Sequence, residues 1–384
     1  MAMTGALTAS YELGPIRPPS EAYSLLIRVA RNCPWNRCKF CPIYKGSRFE
    51  LRPVEDIRRD IANAKEIYDS IVQMAGGTGN QGNLRAMAAM VATNAPGDAS
   101  RNVALWIYGG GEHAFLQDAN TLIMKTPDLA GVIRFLKETF PAINRITTYS
   151  RSKTAAQKKP AELAALREAG LSRIHMGLES GYDPVLQFMD KGVTAAEHIA
   201  GGRNVVASGI SLCEYVMPGA GGQKWWREHA LETARVLNEI SPEYIRLRTL
   251  TVQPRMLLHQ DVASGAFLRA TDEEIVAEIK LFIENLECRS NIVSDHMINL
   301  LPEIEGKLPG DKEKILAVIT RFQSLPPRER DNYKLGRRLG LYSSLDDLNN
   351  ADLHGQVDRM ITRLGENGQG VSDELLYNLM ERYI

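Results

Sequence analysis

Between about residues 22 and 255 the chain alternates two kinds of segment, and this alternation limits the folds open to it. Short runs rich in apolar and β-branched residues occur at 23–30, 103–108, 144–149, 172–178, 210–217 and 244–251, each the length of a strand. Stretches with helical periodicity separate them at 52–68, 127–140, 160–169, 194–207 and 225–240. The first of these opens with Pro53, Glu55 and Asp56, which suit a first helical turn, and sets Ile57, Ile61 and Ile67 on one face. Six strands alternating with helices predict an α/β fold with a parallel sheet and right-handed crossovers. Periodicity alone leaves a barrel and a doubly wound sheet both open.

Outside that rhythm the pattern changes. Residues 1–20, with Pro15, Pro18 and Pro19, read as an irregular N-terminal arm. A stretch at about 74–102, rich in Gly, Asn and Ala, reads as an insertion with a helix near 84–92, first of all a solvated excursion with no catalytic role, though close enough in sequence to act as a lid. Beyond 256 the alternation stops. Thr271-Asp-Glu-Glu274 is a capping signal opening a helix to 287, and 312–323, 357–364 and the segment from 372 are also helical. The expected organisation is an arm (1–20), an α/β body (21–255) and an α-helical C-terminal extension (256–384).

Three of the five cysteines lie in one loop after the first strand, in Arg31-Asn-Cys33-Pro-Trp-Asn-Arg-Cys38-Lys-Phe-Cys41. Three thiolates on one short loop can turn inward on a single centre. Structural zinc wants four ligands, and no further Cys or His stands at finger spacing nearby. A disulfide would leave one thiol over. A [4Fe–4S] cluster has four irons, so three thiolates leave one iron for an exogenous ligand, and spacing and context favour that centre. Clustered cysteines without a disulfide framework also point to a reducing, cytoplasmic compartment.

The rest of the composition mostly excludes. With 46 basic and 46 acidic residues there is no general attraction to nucleic acid or anionic membranes. No apolar run reaches the roughly 18 residues of a spanning helix. Met1-Ala-Met-Thr-Gly-Ala lacks a charged region followed by an apolar core, so no secretory signal is expected.

The cysteine loop resembles that of the radical S-adenosylmethionine (radical SAM) superfamily, including the aromatic Phe40 before the last cysteine. That family commonly spaces its cysteines Cys-x3-Cys-x2-Cys, and this chain has one residue more between Cys33 and Cys38. Further likenesses follow in order. Gly110-Gly111-Glu112, read as following the second strand, is similar to the motif that binds the amino group of SAM, with His113 where the family often has Pro. Leu178-Glu179-Ser180-Gly181 is similar to the ribose motif found in relatives of oxygen-independent coproporphyrinogen oxidase. Val216-Met217-Pro218-Gly219 resembles the Gly-rich strand end that lines the adenine site.

The resemblance implies a partial (β/α)6 TIM-like barrel binding one [4Fe–4S] cluster through Cys33, Cys38 and Cys41. It implies SAM contacts from Phe40, Gly110, Gly111, Glu112, Ser150, Glu179 and Met217. Only Cys213 and Cys288 remain for other duties, too few for a second conventional cluster. Asp352-Leu-His-Gly355 lacks the spacing of a cobalamin-binding Asp-x-His-x-x-Gly segment.

Alternation along the fourth strand turns Arg173, His175, Gly177 and Glu179 to the barrel interior and Ile174, Met176 and Leu178 to the helices. The sixth strand likewise sets Arg246 and Arg248 against Ile245 and Leu247, and inward arginines need anionic partners. The SAM carboxylate, an acidic substrate or buried Asp and Glu residues would each serve. His175 fits a hydrogen-bonded interior histidine before a catalyst; His175, Arg246 and Arg248 are kept as the candidates for the substrate side. Ser150 and Arg151 either touch SAM or substrate or cap a turn, and Glu214 falls on an apolar row with no evident partner. The expected activity is reductive cleavage of SAM to a 5′-deoxyadenosyl radical, which takes hydrogen from a small or medium-sized substrate. An electron donor such as flavodoxin or ferredoxin would serve it. The alternatives are anaerobic porphyrinogen decarboxylation or oxidation, and a non-catalytic iron–sulfur or SAM-binding protein.

Overall fold

The structure, a computed structural model, describes residues 7–76, 81–367 and 370–381. Its strands are β1 (Leu25–Arg28), β2 (Ala30–Arg31), β3 (Glu50–Leu51), β4 (His113–Gln117), β5 (Arg145–Ser150), β6 (Leu171–Glu179), β7 (Ser211–Val216), β8 (Tyr244–Leu247), β9 (Asn291–Val293) and β10 (Gly306–Lys307). Eight form one sheet in the order β1-β4-β5-β6-β7-β8-β9-β10, while β2 and β3 make a small antiparallel ladder that brackets the cysteine loop. The pairs β1–β4, β4–β5, β5–β6, β7–β8 and β8–β9 are parallel, and β10 runs antiparallel at one edge.

Strands that pair in the order of the sequence are wound in a single direction. A doubly wound sheet reverses its order about a switch point. The fold is therefore α/β with the winding of an unclosed β/α barrel, its edges being β1 and β10. Among the described residues no helix is long and apolar enough to cross a membrane.

Two expectations are corrected. Residues 103–108 are not the second strand but the end of a helix, Asp98–Tyr108. Ala99, Val103, Ala104, Trp106 and Ile107 are buried at helical spacing, which the run 103–108 hides when read without the residues before it. The second strand is β4, five residues further on. The C-terminal extension is also not wholly helical, because β9 and β10 extend the sheet. Elements of two or three residues are too short to show a period. The helix expected at 84–92 is present within Gln81–Asn94, while residues 77–80 of the insertion lie outside the described residues.

The chain packs as two compact units. One comprises residues through Asn36, Ile43–Met176 and Ala200–Leu212, and the other Arg37–Pro42, Gly177–Ile199 and Cys213–Ile384. In the first, helix Val54–Met74 buries Ile57, Ile61, Ala64, Ile67 and Ile71 and packs on helices Asp98–Tyr108 and Thr126–Thr139. Trp106 centres that contact, its ring 5.0 Å from Phe140 edge to face and 5.7 Å from Tyr68. On the sheet, the rings of Phe115, Tyr149 and His175 meet edge to face at 5.1–6.3 Å, while Ala114, Leu116, Ile146, Ile174 and Met176 fill the opposite row.

In the second unit, helix Gly222–Ile240 packs on helix Asp272–Glu284. Between them His229 and Glu278 are buried behind two strand ends. His229 Nδ1 accepts from the Ser180 hydroxyl (2.8 Å), and its Nε2–H donates to the Met217 carbonyl (3.2 Å). Glu278 Oε1 accepts from the Gly219 N–H (2.8 Å) and lies 3.4 Å from His229 Nε2. Burial pushes His229 down to about 4, against the bond to Met217, and pushes Glu278 up to about 8, against the bond from Gly219. Both groups are thus neutral at neutral pH, and their contact is not an ion pair. Gly181 fits here because a Cβ on it would lie 2.4 Å from the Glu232 carbonyl oxygen.

Two outcomes are expected. Trp106→Ala should cost about 3–5 kcal/mol of stability in urea unfolding, as for other large buried aromatics. Between pH 4.5 and about 8 the folded chain keeps a proton on Glu278 that the unfolded chain releases, so this group makes stability fall as pH rises. His229, lowered to about 4, makes stability rise with pH up to about 6.5 and offsets Glu278 there, so Glu278→Gln should flatten the curve between about pH 6.5 and 8, measured by unfolding.

Candidate active site

In parallel β/α folds the loops after the strands carry the chemistry. In the first unit the chain leaves β1 and β2 and enters the cysteine loop at Asn32 and Cys33. The root of this loop is a charged frame. Arg28, at the end of β1, donates from Nε (3.0 Å) and Nη2 (2.7 Å) to Asp118 Oδ2. Tyr44 O–H donates to Asp118 Oδ1 (2.7 Å), and the Asn32 N–H reaches Oδ2 (3.3 Å). Glu12, from the arm, accepts from Arg28 (2.9 Å) and Arg31 (2.6 and 2.7 Å), and the hydrogen bond from Arg31 holds its carboxyl below the usual range. Arg52 pairs with Asp60 at 2.6 Å.

Asp118 stands at the carboxyl end of β4, where the sequence reading had placed Gly-Gly-Glu. Gly110, Gly111 and Glu112 are instead at the amino end of that strand. The glycines stop the preceding helix: Gly110 (φ +108°) and Gly111 (φ +72°) take left-handed backbone, and their N–H groups return to the carbonyls of Ile107 and Trp106. Glu112 is exposed and accepts from Asn144 Nδ2 (3.2 Å). The motif ends a helix at the wrong end of the strand for the role the resemblance gave it.

The segment at the loop end of β4 is Gln117-Asp118-Ala119-Asn120, all but Ala119 buried. Asn120 Oδ1 accepts from the Ser150 hydroxyl (3.3 Å) and the Arg151 N–H (3.0 Å), which ties the ends of β4 and β5 together. The Arg151 guanidinium lies 5.0 Å over the Trp35 ring of the cysteine loop. Sequence reasoning passed over Asp118, Asn120 and Tyr44. For Asp118 and Asn120 the signal was three polar residues in four directly after the apolar run 114–116, while Tyr44 had none.

In the second unit, the stretch with Cys38, Phe40 and Cys41 is held by its backbone. The Lys39 N–H donates to Met189 O (2.9 Å) and its carbonyl accepts from Leu258 N–H (3.0 Å). Glu179, at the end of β6, has left-handed backbone (φ +62°), an uncommon state for a non-glycine residue. Its Oε1 is 3.0 Å from Lys191 Nζ, which in turn lies 5.5 Å over the Phe40 ring. Phe40, Glu179, Ser180, Lys191 and Met217 line one small pocket. Lys191 takes only part of the capacity of a carboxylate with two oxygens. Met217, at the end of β7, donates its N–H to the Glu179 carbonyl (3.0 Å) and packs in an apolar cluster with Val185, Met189 and Leu250.

The remaining candidates are scattered. His175 is fully buried within the aromatic row and 3.7 Å from Glu21 Oε1. Arg246 is paired with Asp295, and Arg248 is exposed beyond β8. Glu214 is fully buried, and neither of its oxygens has a hydrogen-bond partner among the described residues. Burial, with Glu179 near, holds its carboxyl well above the usual range.

Among the described residues no three His, Cys, Asp or Glu side chains already form a metal cage. The fit of the loop to a cluster lies in its donor set. None of the five cysteines is in a disulfide, and Cys33, Cys38 and Cys41 are half-buried whereas Cys213 and Cys288 are buried. The Asn36 N–H points at Cys33 Sγ (3.4 Å), the kind of bond that steadies a ligating thiolate.

No curated protein sequence matches the chain. Similar solved structures include coproporphyrinogen III oxidase from Escherichia coli, 17% identical with a TM-score of 0.45 over 73% of this chain and 54% of that one. They also include Elp3 of the archaeon Methanocaldococcus infernus with an N-terminal deletion (14%, 0.39, 48% of each chain). A third is HydG, a maturase of the [FeFe]-hydrogenase (14%, 0.41, 68% of this chain and 50% of that one). The chain spans about half the length of these proteins. A family model described as the Radical SAM superfamily matches residues 27–234, more than half of the sequence, from β1 to the helix after β7. The chain belongs to the radical SAM superfamily.

Proposed function

We propose that the chain is a radical SAM enzyme that cleaves S-adenosylmethionine reductively and removes a hydrogen atom from a small or medium-sized substrate. The observation that carries this reading is the placement of Cys33, Cys38 and Cys41 on the loop following the first strands of the family-matched segment. In it the three thiolates would hold a [4Fe–4S] cluster. Such a cluster, when bound, supplies an open iron for SAM and the electron that breaks the sulfonium carbon–sulfur bond, giving methionine and a 5′-deoxyadenosyl radical.

The task of this chain's own residues is then binding, orientation and exclusion of water. Glu179 is suited to accept hydrogen bonds from ribose hydroxyls, because Lys191 holds its carboxylate at 3.0 Å and the left-handed backbone fixes its direction. Phe40 and Met217 line the same pocket and offer apolar surface to the nucleoside. At the loop end of β4, residues 117–120 take the place in the chain where Gly-Gly-Glu was expected. His175, Arg246 and Arg248 stay as substrate-side candidates, Arg248 being the exposed cation. The reductant would be a small electron carrier such as flavodoxin or ferredoxin in a reducing cytoplasm.

Anaerobic reconstitution with iron and sulfide, then reduction with SAM present, should yield 5′-deoxyadenosine. Cys38→Ala should abolish both the cluster spectrum and the product; zinc binding in place of a cluster would overturn the reading. Glu179→Gln should keep the cluster spectrum and weaken SAM binding about tenfold, the scale of a lost charge-assisted hydrogen bond, measured by equilibrium binding. Unchanged affinity would remove Glu179 from the SAM site.

A further inference from the structure

Asp118 makes bonds that neither the cysteine motif nor the SAM contacts call for. We infer that Asp118 is a positioning residue that sets the geometry of the cysteine loop by gripping its two ends. This rests on the reading of that loop as the cluster site.

The geometry is specific. Asp118 is fully buried, and its two oxygens receive four donors: Nε and Nη2 of Arg28, the hydroxyl of Tyr44 and the N–H of Asn32. Asn32 immediately precedes Cys33, and Tyr44 follows Cys41 by three residues, so all three cysteines lie between the two gripped points. The grip is anchored in the sheet. Arg28 pairs in register with Gln117, and the Val29 N–H donates to the Gln117 carbonyl at 2.5 Å.

A carboxylate is the side chain that can serve these donors, because it only accepts and does so on both oxygens. An asparagine of the same size would set its amide N–H against one of them. Ordering a loop of this length costs conformational entropy, and meeting that cost in the folded apoprotein leaves less to be met when ligands close on a metal. Arg28 keeps the buried charge neutral, and Glu12 in turn binds Arg28 and Arg31.

The test uses the full chain reconstituted with iron and sulfide. Tyr44→Phe removes one hydroxyl from the grip and leaves the ring, while Asp118→Asn alters it at its centre. Two readouts are taken well below each variant's melting transition: the rate of iron loss to a chelator, and the rate of thiol alkylation in the apoprotein. Both rates should rise several-fold in Tyr44→Phe and further in Asp118→Asn. Should Asp118→Asn fail to fold, Tyr44→Phe decides alone. Wild-type rates in a folded Tyr44→Phe variant would overturn the inference while leaving the cluster reading intact. A wild-type chain that assembles no cluster would overturn both.

Discussion

The parallel ladder between β1 and β4 decides what stands beside the cysteine loop. Its register, Leu25 on Ala114 through Arg28 on Gln117, brings the carboxyl ends of two strands level. The residues after those ends then become neighbours whatever their distance in sequence. Arg28 and Asp118, 90 positions apart, meet for this reason. A slip of one residue would turn Arg28 to the other face, where β1 presents Leu25 and Ile27, both fully buried. The apolar row thus fixes the register, and the register makes the ion pair. Parallel strands with successive order repeat this at β4 and β5, where Asn120 meets Ser150 and Arg151.

Buried ionisable groups are handled in two ways here. Around the root of the cysteine loop charge is kept and paired. Arg28 and Arg52 are nearly buried, and each faces carboxylates of Glu12, Asp60 or Asp118 within 3.3 Å. An unpaired member of such a group would carry an uncompensated charge in a poor solvent, so the frame holds as a set. Behind the ends of β6 and β7 charge is given up. Glu278 keeps its proton and His229 lacks its second, while burial pushes the Glu214 carboxyl well above the usual range. Neutral groups there give direction through hydrogen bonds to Ser180, Met217 and Gly219, with no large desolvation penalty.

Much of this was legible in the sequence. Strands β5 to β8 fall on the short runs read as strands, and the cysteines and Leu-Glu-Ser-Gly follow strand ends. The second strand failed for a definable reason. Val103-Ala-Leu-Trp-Ile-Tyr108 is apolar throughout, and a short apolar run does not distinguish a strand from the last turns of a buried helix. The three glycines that follow were decisive evidence for a helix stop, because positive φ at Gly110 and Gly111 is what a helix end asks for. They look equally like a ligand loop when the preceding element is taken for a strand. The misassigned element carried the misassigned motif with it. Lys191 beside Glu179 and Tyr44 on Asp118 were beyond reach, since such pairs are set by tertiary position and have no local period.

The stretch with the extra residue between Cys33 and Cys38 is held by bonds of its own. Asn32 (φ +67°) and Asn36 (φ +47°) both take left-handed backbone, which asparagine tolerates better than most side chains. At Asn36 the chain turns back on itself: its N–H reaches Cys33 Sγ at 3.4 Å, three residues behind, and its side-chain amide donates forward to the Tyr44 and Ser47 carbonyls. A turn of this kind takes up contour length without separating its ends. Its cost in left-handed backbone is met by the side-chain bonds of the same asparagine that adopts it.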